Sequence, residues 1–187
     1  MSGMPDDRPV QETRWLTDRE QAAWRAYILS SLRLTALLDR EMQHHADLPM
    51  SYYEILAILS EAPDRSLRMS DLADRTHSLP SRITHAVGRL EKAGWVTRRN
   101  CASDRRAWYA ELTNAGLKVV EEAAPIHVEG VRRHLIDHLD DEDLDDLLRI
   151  FAKVRAHLDE PWSSCAKAAE EASASESACL SGEDAEC

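Results

Sequence analysis

A chain of 187 residues, 43% hydrophobic and 30% charged, is long enough for a buried core and too apolar to be wholly disordered. Its 23 Lys+Arg against 34 Asp+Glu leave a net charge of −11, which as an average argues against a nucleic-acid partner. No apolar run has membrane-spanning length and the N-terminus has no signal-peptide stretch, so a cytoplasmic protein without membrane contact is expected.

Residues 1–14 are expected to be a flexible N-terminus. Thr17-Asp18-Arg19-Glu20 reads as a capping box, and behind it Trp24, Tyr27, Ile28, Leu34, Leu38 and Met42 recur every three to four residues. That spacing predicts a long helix to about His45, broken by Leu48-Pro49. Ser51-Tyr52-Tyr53-Glu54 reads as a second capping box, opening a helix apolar nearly all round and therefore central. Two short helices follow, the first capped by Ser70 and the second carrying Pro80 in its first turn and stopped by Gly94. The β-prone runs Trp95–Arg99 and Trp108–Leu112 flank a charged stretch and predict a hairpin. Thr113 caps another helix, which Pro125 should kink or restart. A last helix from about Asp141 carries Leu144, Leu147, Leu148, Phe151, Val154 and Leu158 as one stripe. The Ala/Ser/Glu-rich stretch 161–187 reads as a disordered acidic tail.

The fold class implied is mainly α (α+β). Three helices and then a β-hairpin make a winged helix-turn-helix, with long N- and C-terminal helices left over as a dimerisation domain. The division expected is a lobe of about 51–112 and dimerisation helices of about 17–45 and 113–160. Excess apolar stripe on those helices calls for a twofold partner.

The charge is unevenly spread. Between Ser81 and Arg106 seven bases meet two acids, whereas the stretch from Asp137 onward is strongly acidic. The helix before the hairpin presents Ser81, Arg82, Thr84, His85, Arg89 and Lys92, donors sized for phosphates and base edges. Arg98, Arg99, Arg105 and Arg106 extend the basic surface into the hairpin. An Arg on a thin ribbon suits a narrow minor groove, and Asp104 suits an acceptor that fixes an Arg rotamer.

These residues resemble the MarR family of transcriptional regulators. The resemblance runs from about Trp15 to Leu158 and is carried by Leu72-Ala73-Asp74-Arg75, Arg89-Leu90-Glu91-Lys92-Ala93-Gly94-Trp95-Val96 and the run from Asp104 to Gly116. It implies a homodimer on near-palindromic double-stranded DNA, with repression as the default. It also implies a wing pair of Asp104 and Arg106, with Arg106 in the minor groove and Arg105 on phosphate. A small aromatic effector is a family habit, and Trp24, Tyr27, His44, His45, Tyr52 and Tyr53 fall near the hinge it would use.

Other classes are weaker. His134 and His138, spaced i, i+4, are candidate metal ligands, but there is no Cys-x-x-Cys and no cofactor is expected. Cys101 lies at the wing, where oxidation would disturb DNA contact; Cys165, Cys179 and Cys187 fall in the tail. A metal- or redox-responsive regulator, or a winged-helix adaptor that has lost DNA binding, are the alternatives. No phosphate loop, nucleophile elbow or paired carboxylates point to an enzyme.

Overall fold

Thr17 starts the first helix as its spacing requires. Its hydroxyl accepts from the Glu20 N–H at 3.3 Å, and the Glu20 carboxylate accepts from the Thr17 N–H at 2.8 Å. The computed structural model describes residues 13–100 and 107–158. Two compact units part after Ile136 and are treated separately.

The first unit begins with α1 (Asp18–Ala46), closed by Asp47 in the left-handed region. Helix α2 (Met50–Glu61) follows. The expected cap by Ser51 is absent: Pro49 occupies the cap position, and the Met50 N–H donates instead to Asp39 of α1 at 2.8 Å. A carboxylate eleven residues back has taken the role that the local pattern assigned to a serine. Ile55, Leu56 and Leu59 are buried, so the helix is central as expected.

After a 3-10 turn, Pro63–Arg65, comes a strand that the sequence did not announce, β1 (Ser66–Arg68). Helix α3 (Met69–Arg75) starts directly from it with Arg68 at the cap position and no side-chain cap. Ser70 therefore lies inside the first turn, its hydroxyl donating to Asp71 at 3.1 Å rather than capping the helix. Helix α4 (Pro80–Lys92) opens on Pro80, whose missing N–H costs nothing in a first turn. Gly94 then takes φ +77°, which a side chain would disfavour.

Strands β2 (Val96–Asn100) and β3 (Trp108–Leu112) form the hairpin. The antiparallel sheet has the order β1-β3-β2, so β3 is central and bonds to both neighbours. Leu67 and Arg98 both stand opposite Ala110, and Arg68 and Arg99 both stand opposite Tyr109.

Helix α5 (Asn114–His134) runs through Pro125 without a restart. Pro125 and Glu121, whose carbonyl loses its donor, are both exposed. Leu56, Leu59, Leu72, Val87, Leu90, Val96 and Ala110 form the middle of a core shared by α2, α3, α4 and the sheet. Helices α1 and α5 pack closely at Gly130, where an added Cβ would lie 2.8 Å from the Glu41 carboxylate. Tyr53 and His127 join α2 to α5, their ring centroids 5.1 Å apart.

In the second unit α6 (Asp141–Leu158) is capped reciprocally by Asp140 and Asp143. None of its residues is buried, and Leu148, Ile150, Phe151, Val154 and Leu158 are exposed. Among the described residues no helix is long and apolar enough to cross a membrane.

Candidate nucleic-acid interface

Helix α4 divides its residues sharply between two sides. Ile83, Ala86, Val87 and Leu90 are buried, which turns Ser81, Arg82, Thr84, His85 and Arg89 outward. All five expected reading residues on this helix are exposed. Thr84 donates its hydroxyl proton to the Pro80 carbonyl at 2.8 Å. Glu91 is the one acid of the helix, and it does not oppose an incoming anion unassisted. Arg98 on β2 donates to it through Nε at 2.8 Å. That bond holds the Glu91 carboxyl below the usual carboxylate range.

The hairpin cations sit less freely than the sequence suggested. Arg98 is committed to Glu91, and Arg99 pairs with Glu111 at 3.5 Å. Arg99 also stacks over the Tyr109 ring at 5.4 Å, while Arg68 stacks over it at 5.6 Å and donates through Nε to its hydroxyl at 2.8 Å. An Arg-Tyr-Arg row thus crosses all three strands in register. Sequence reasoning missed Arg68, because its place depends on a three-residue strand visible only once paired. Asp104, Arg105, Arg106 and Cys101 lie outside the described residues, as do Cys165, Cys179 and Cys187.

Next to the end of α4, Thr113 and Gly116 in the run Leu112-Thr113-Asn114-Ala115-Gly116 act together. The Thr113 hydroxyl accepts from the Gly116 N–H at 3.0 Å and lies 2.8 Å from the Gly94 carbonyl, to which it donates. The Thr113 N–H donates to the Trp95 carbonyl at 3.0 Å. A Cβ on Gly116 would lie 2.2 Å from that same oxygen, so only glycine fits. The start of α5 is therefore locked onto the turn that ends α4.

Five of the six aromatic residues expected around an effector make ring contacts. Trp24 pairs with Tyr27 at 6.0 Å, His44 with His45 at 4.7 Å, and Tyr53 with His127. Tyr52 lines a cavity of about 760 Å³ between the turn 47–49 and α4, with His85, Arg89 and Trp95. It also lines a smaller one, with Arg82 and His85. His45 borders a different cavity between α1 and α5.

Of the two metal candidates, His134 ends α5 in the first unit, and His138, in a 3-10 turn, belongs to the second. His134 is bonded to Glu41 at 2.8 Å, which lowers the Glu41 pKa. Among the described residues no group of three or more His, Cys, Asp or Glu is arranged to hold a metal ion.

Comparisons with known proteins agree with this layout. A family model described as the MarR family matches residues 48–108. The chain is 27% identical to the HTH-type transcriptional repressor YetL of Bacillus subtilis over 117 residues, covering 61% of this chain and 70% of that protein. Two solved structures from Streptomyces coelicolor are more similar. AbsC, a MarR family transcriptional regulator, is 46% identical with a TM-score of 0.73, the match covering 78% of this chain and 98% of AbsC. Sco3205, a MarR family transcriptional regulator solved in complex with DNA, is 43% identical with a TM-score of 0.76, covering 81% of this chain and 94% of Sco3205. Likeness of that degree, over nearly the full length of two such regulators, makes this chain a member of the MarR family.

Proposed function

We propose that the protein is a DNA-binding transcriptional regulator, a repressor, whose homodimer reads a near-palindromic operator in the cytoplasm. The observation that carries this is α4, with its apolar side in the core and Ser81, Arg82, Thr84, His85 and Arg89 exposed together. A helix with that division enters a major groove side-on and offers donors to base edges. Arg106, held by Asp104, takes the minor groove, and Arg105 a phosphate. Arg98 and Arg99, already paired with carboxylates, supply charge rather than base contacts. The lobe of about 51–112 reads DNA, and the helices of about 17–45 and 113–160 join the protomers.

The dimer is supported by the exposed apolar side chains of α1 (Trp24, Tyr27, Leu29, Leu32) and of α6. A second copy covers them and sets two reading helices roughly 34 Å apart, one duplex turn. A small aromatic effector fits beside α4, where Tyr52 and Trp95 provide ring surface. It acts by binding one spacing of the two reading helices better than another. This function has no catalytic step.

The test is titration of the purified protein against duplexes selected from a random-sequence pool. Enrichment of a near-palindrome, with affinity falling steeply as salt rises, is the expected result. Failure to enrich any sequence would favour the adaptor reading.

A further inference from the structure

Gly88 stands inside α4, where glycine is a poorer helix former than alanine. Packing does not call for it: a Cβ at this position would meet nothing within 4 Å among the described residues. Ser81, His85, Gly88 and Lys92 follow one another at intervals of four, three and four residues, the spacing of a single helical face. Ser81, His85 and Lys92 are exposed, so the residue without a side chain interrupts an outward row. Thr84, His85, Gly88 and Arg89 also border the cavity of about 760 Å³ beside α4, and the surface is concave at this point.

The notch is apolar. Within a helix the N–H and carbonyl of residue 88 belong to the backbone ladder, which leaves the Cα hydrogens to meet a partner. One turn back, Thr84 has given its hydroxyl proton to the Pro80 carbonyl, so it has none left to donate and adds a methyl group to the rim. One turn ahead, the Glu91 carboxylate is held by Arg98. A phosphate or a base carbonyl would find no donor there. The space left by a missing Cβ is that of one methyl group, and the base that carries one in the major groove is thymine. We infer that the notch receives the 5-methyl group of a thymine in each operator half-site, which makes Gly88 a specificity-determining residue. The inference rests on the DNA-binding function proposed above and names a base group that α4 reads. Cytosine, with hydrogen at that carbon, leaves the notch empty, and a side chain at position 88 occupies the space the methyl needs.

Fluorescence anisotropy compares the wild type, Gly88→Ala and Thr84→Ser on the duplex selected from the random-sequence pool. The same duplex is then made with each thymine replaced in turn by deoxyuridine, which removes only the 5-methyl group. Thermal melts on the same samples confirm folding, and Gly88→Ala should melt no lower than the wild type. The wild type should lose about fourfold in affinity at one thymine of a half-site, the worth of one buried hydrocarbon group. Gly88→Ala should bind the thymine duplex more weakly than the wild type does. It should bind the matching uracil duplex more tightly, because its own methyl then fills the space, so the preference for thymine disappears or reverses. Thr84→Ser, which removes the methyl at the rim, should narrow the preference. An equal loss from thymine to uracil in the wild type and Gly88→Ala would overturn the notch while leaving the DNA-binding function standing. A selected duplex in which no thymine responds would do the same. A wild type that selects no duplex would overturn both.

Discussion

Arg98 on the first wing strand donates through Nε to the Glu91 carboxylate at 2.8 Å, tying the last turn of the reading helix to the wing. The pair is the same bond that lowers the Glu91 pKa, so its pH dependence has a fixed sign. A depressed carboxylate pKa means that the tie is complete above the ordinary value of 4.5 and is lost as pH falls through the lowered folded value. Glu91→Gln should therefore reduce hydrogen-exchange protection of the amides of 96–100 and 108–112 at neutral pH. The difference from wild type should vanish in acid below the folded Glu91 pKa. Equal protection at neutral pH would show that the tie does not hold the wing.

Three glycines should respond to alanine in different directions. Gly116→Ala drives a methyl into the Trp95 carbonyl, a backbone atom that cannot step aside, and should cost about 1–3 kcal/mol or more. Gly94→Ala, at φ +77°, should cost about 1–2 kcal/mol. Gly88→Ala meets nothing within 4 Å in the middle of a helix and should stabilise by roughly 0.5–1 kcal/mol. Thermal denaturation of the three variants orders them directly.

His127 is held below its ordinary pKa of 6.5 by burial, and its Nδ1 has no hydrogen-bond partner. The unfolded chain then binds the proton more readily than the folded one. Stability should be full above pH 6.5 and should fall as pH drops through the lowered folded value. His127→Leu should remove this part of the acid sensitivity. Denaturant midpoints of the two proteins across pH 5 to about 7.5 would disprove the assignment if they fell in parallel.

Phe151 and Leu148 are exposed on a helix with no buried residue. Phe151→Asp should leave helix content unchanged and convert a dimer to monomer, with operator binding falling by well over tenfold. Sedimentation velocity and circular dichroism on the same sample check it. A dimer of unchanged strength would remove α6 from the interface.

What could be read from sequence, and what could not, separates by the range of the interaction involved. Thr17 and Thr113 were legible as caps because each bonds within three residues of itself. The amphipathic period of α4 was enough to place Ser81, Arg82, Thr84, His85 and Arg89 on its exposed side. Ser51 and Ser70 matched the same local pattern and failed, because Asp39 had reached the Met50 N–H from another helix and Arg68 entered α3 directly from a strand. Strand β1 was invisible, since three residues with one buried Leu have no period to detect. The charge count registers Arg98 and Arg99 as bases, yet their partners Glu91 and Glu111 appear only once strands are in register.

The contact between Gly116 and the Trp95 carbonyl has a mechanical side as well. It leaves no clearance at the first turn of α5, whose 21 residues extend about 30 Å from that point. The helix is thus a long arm clamped to the turn that ends α4. Moving its far end by about 3 Å turns the clamped joint through only about 6°, given a 30 Å arm. A coarse displacement at one end of the arm arrives as a small rotation at the other.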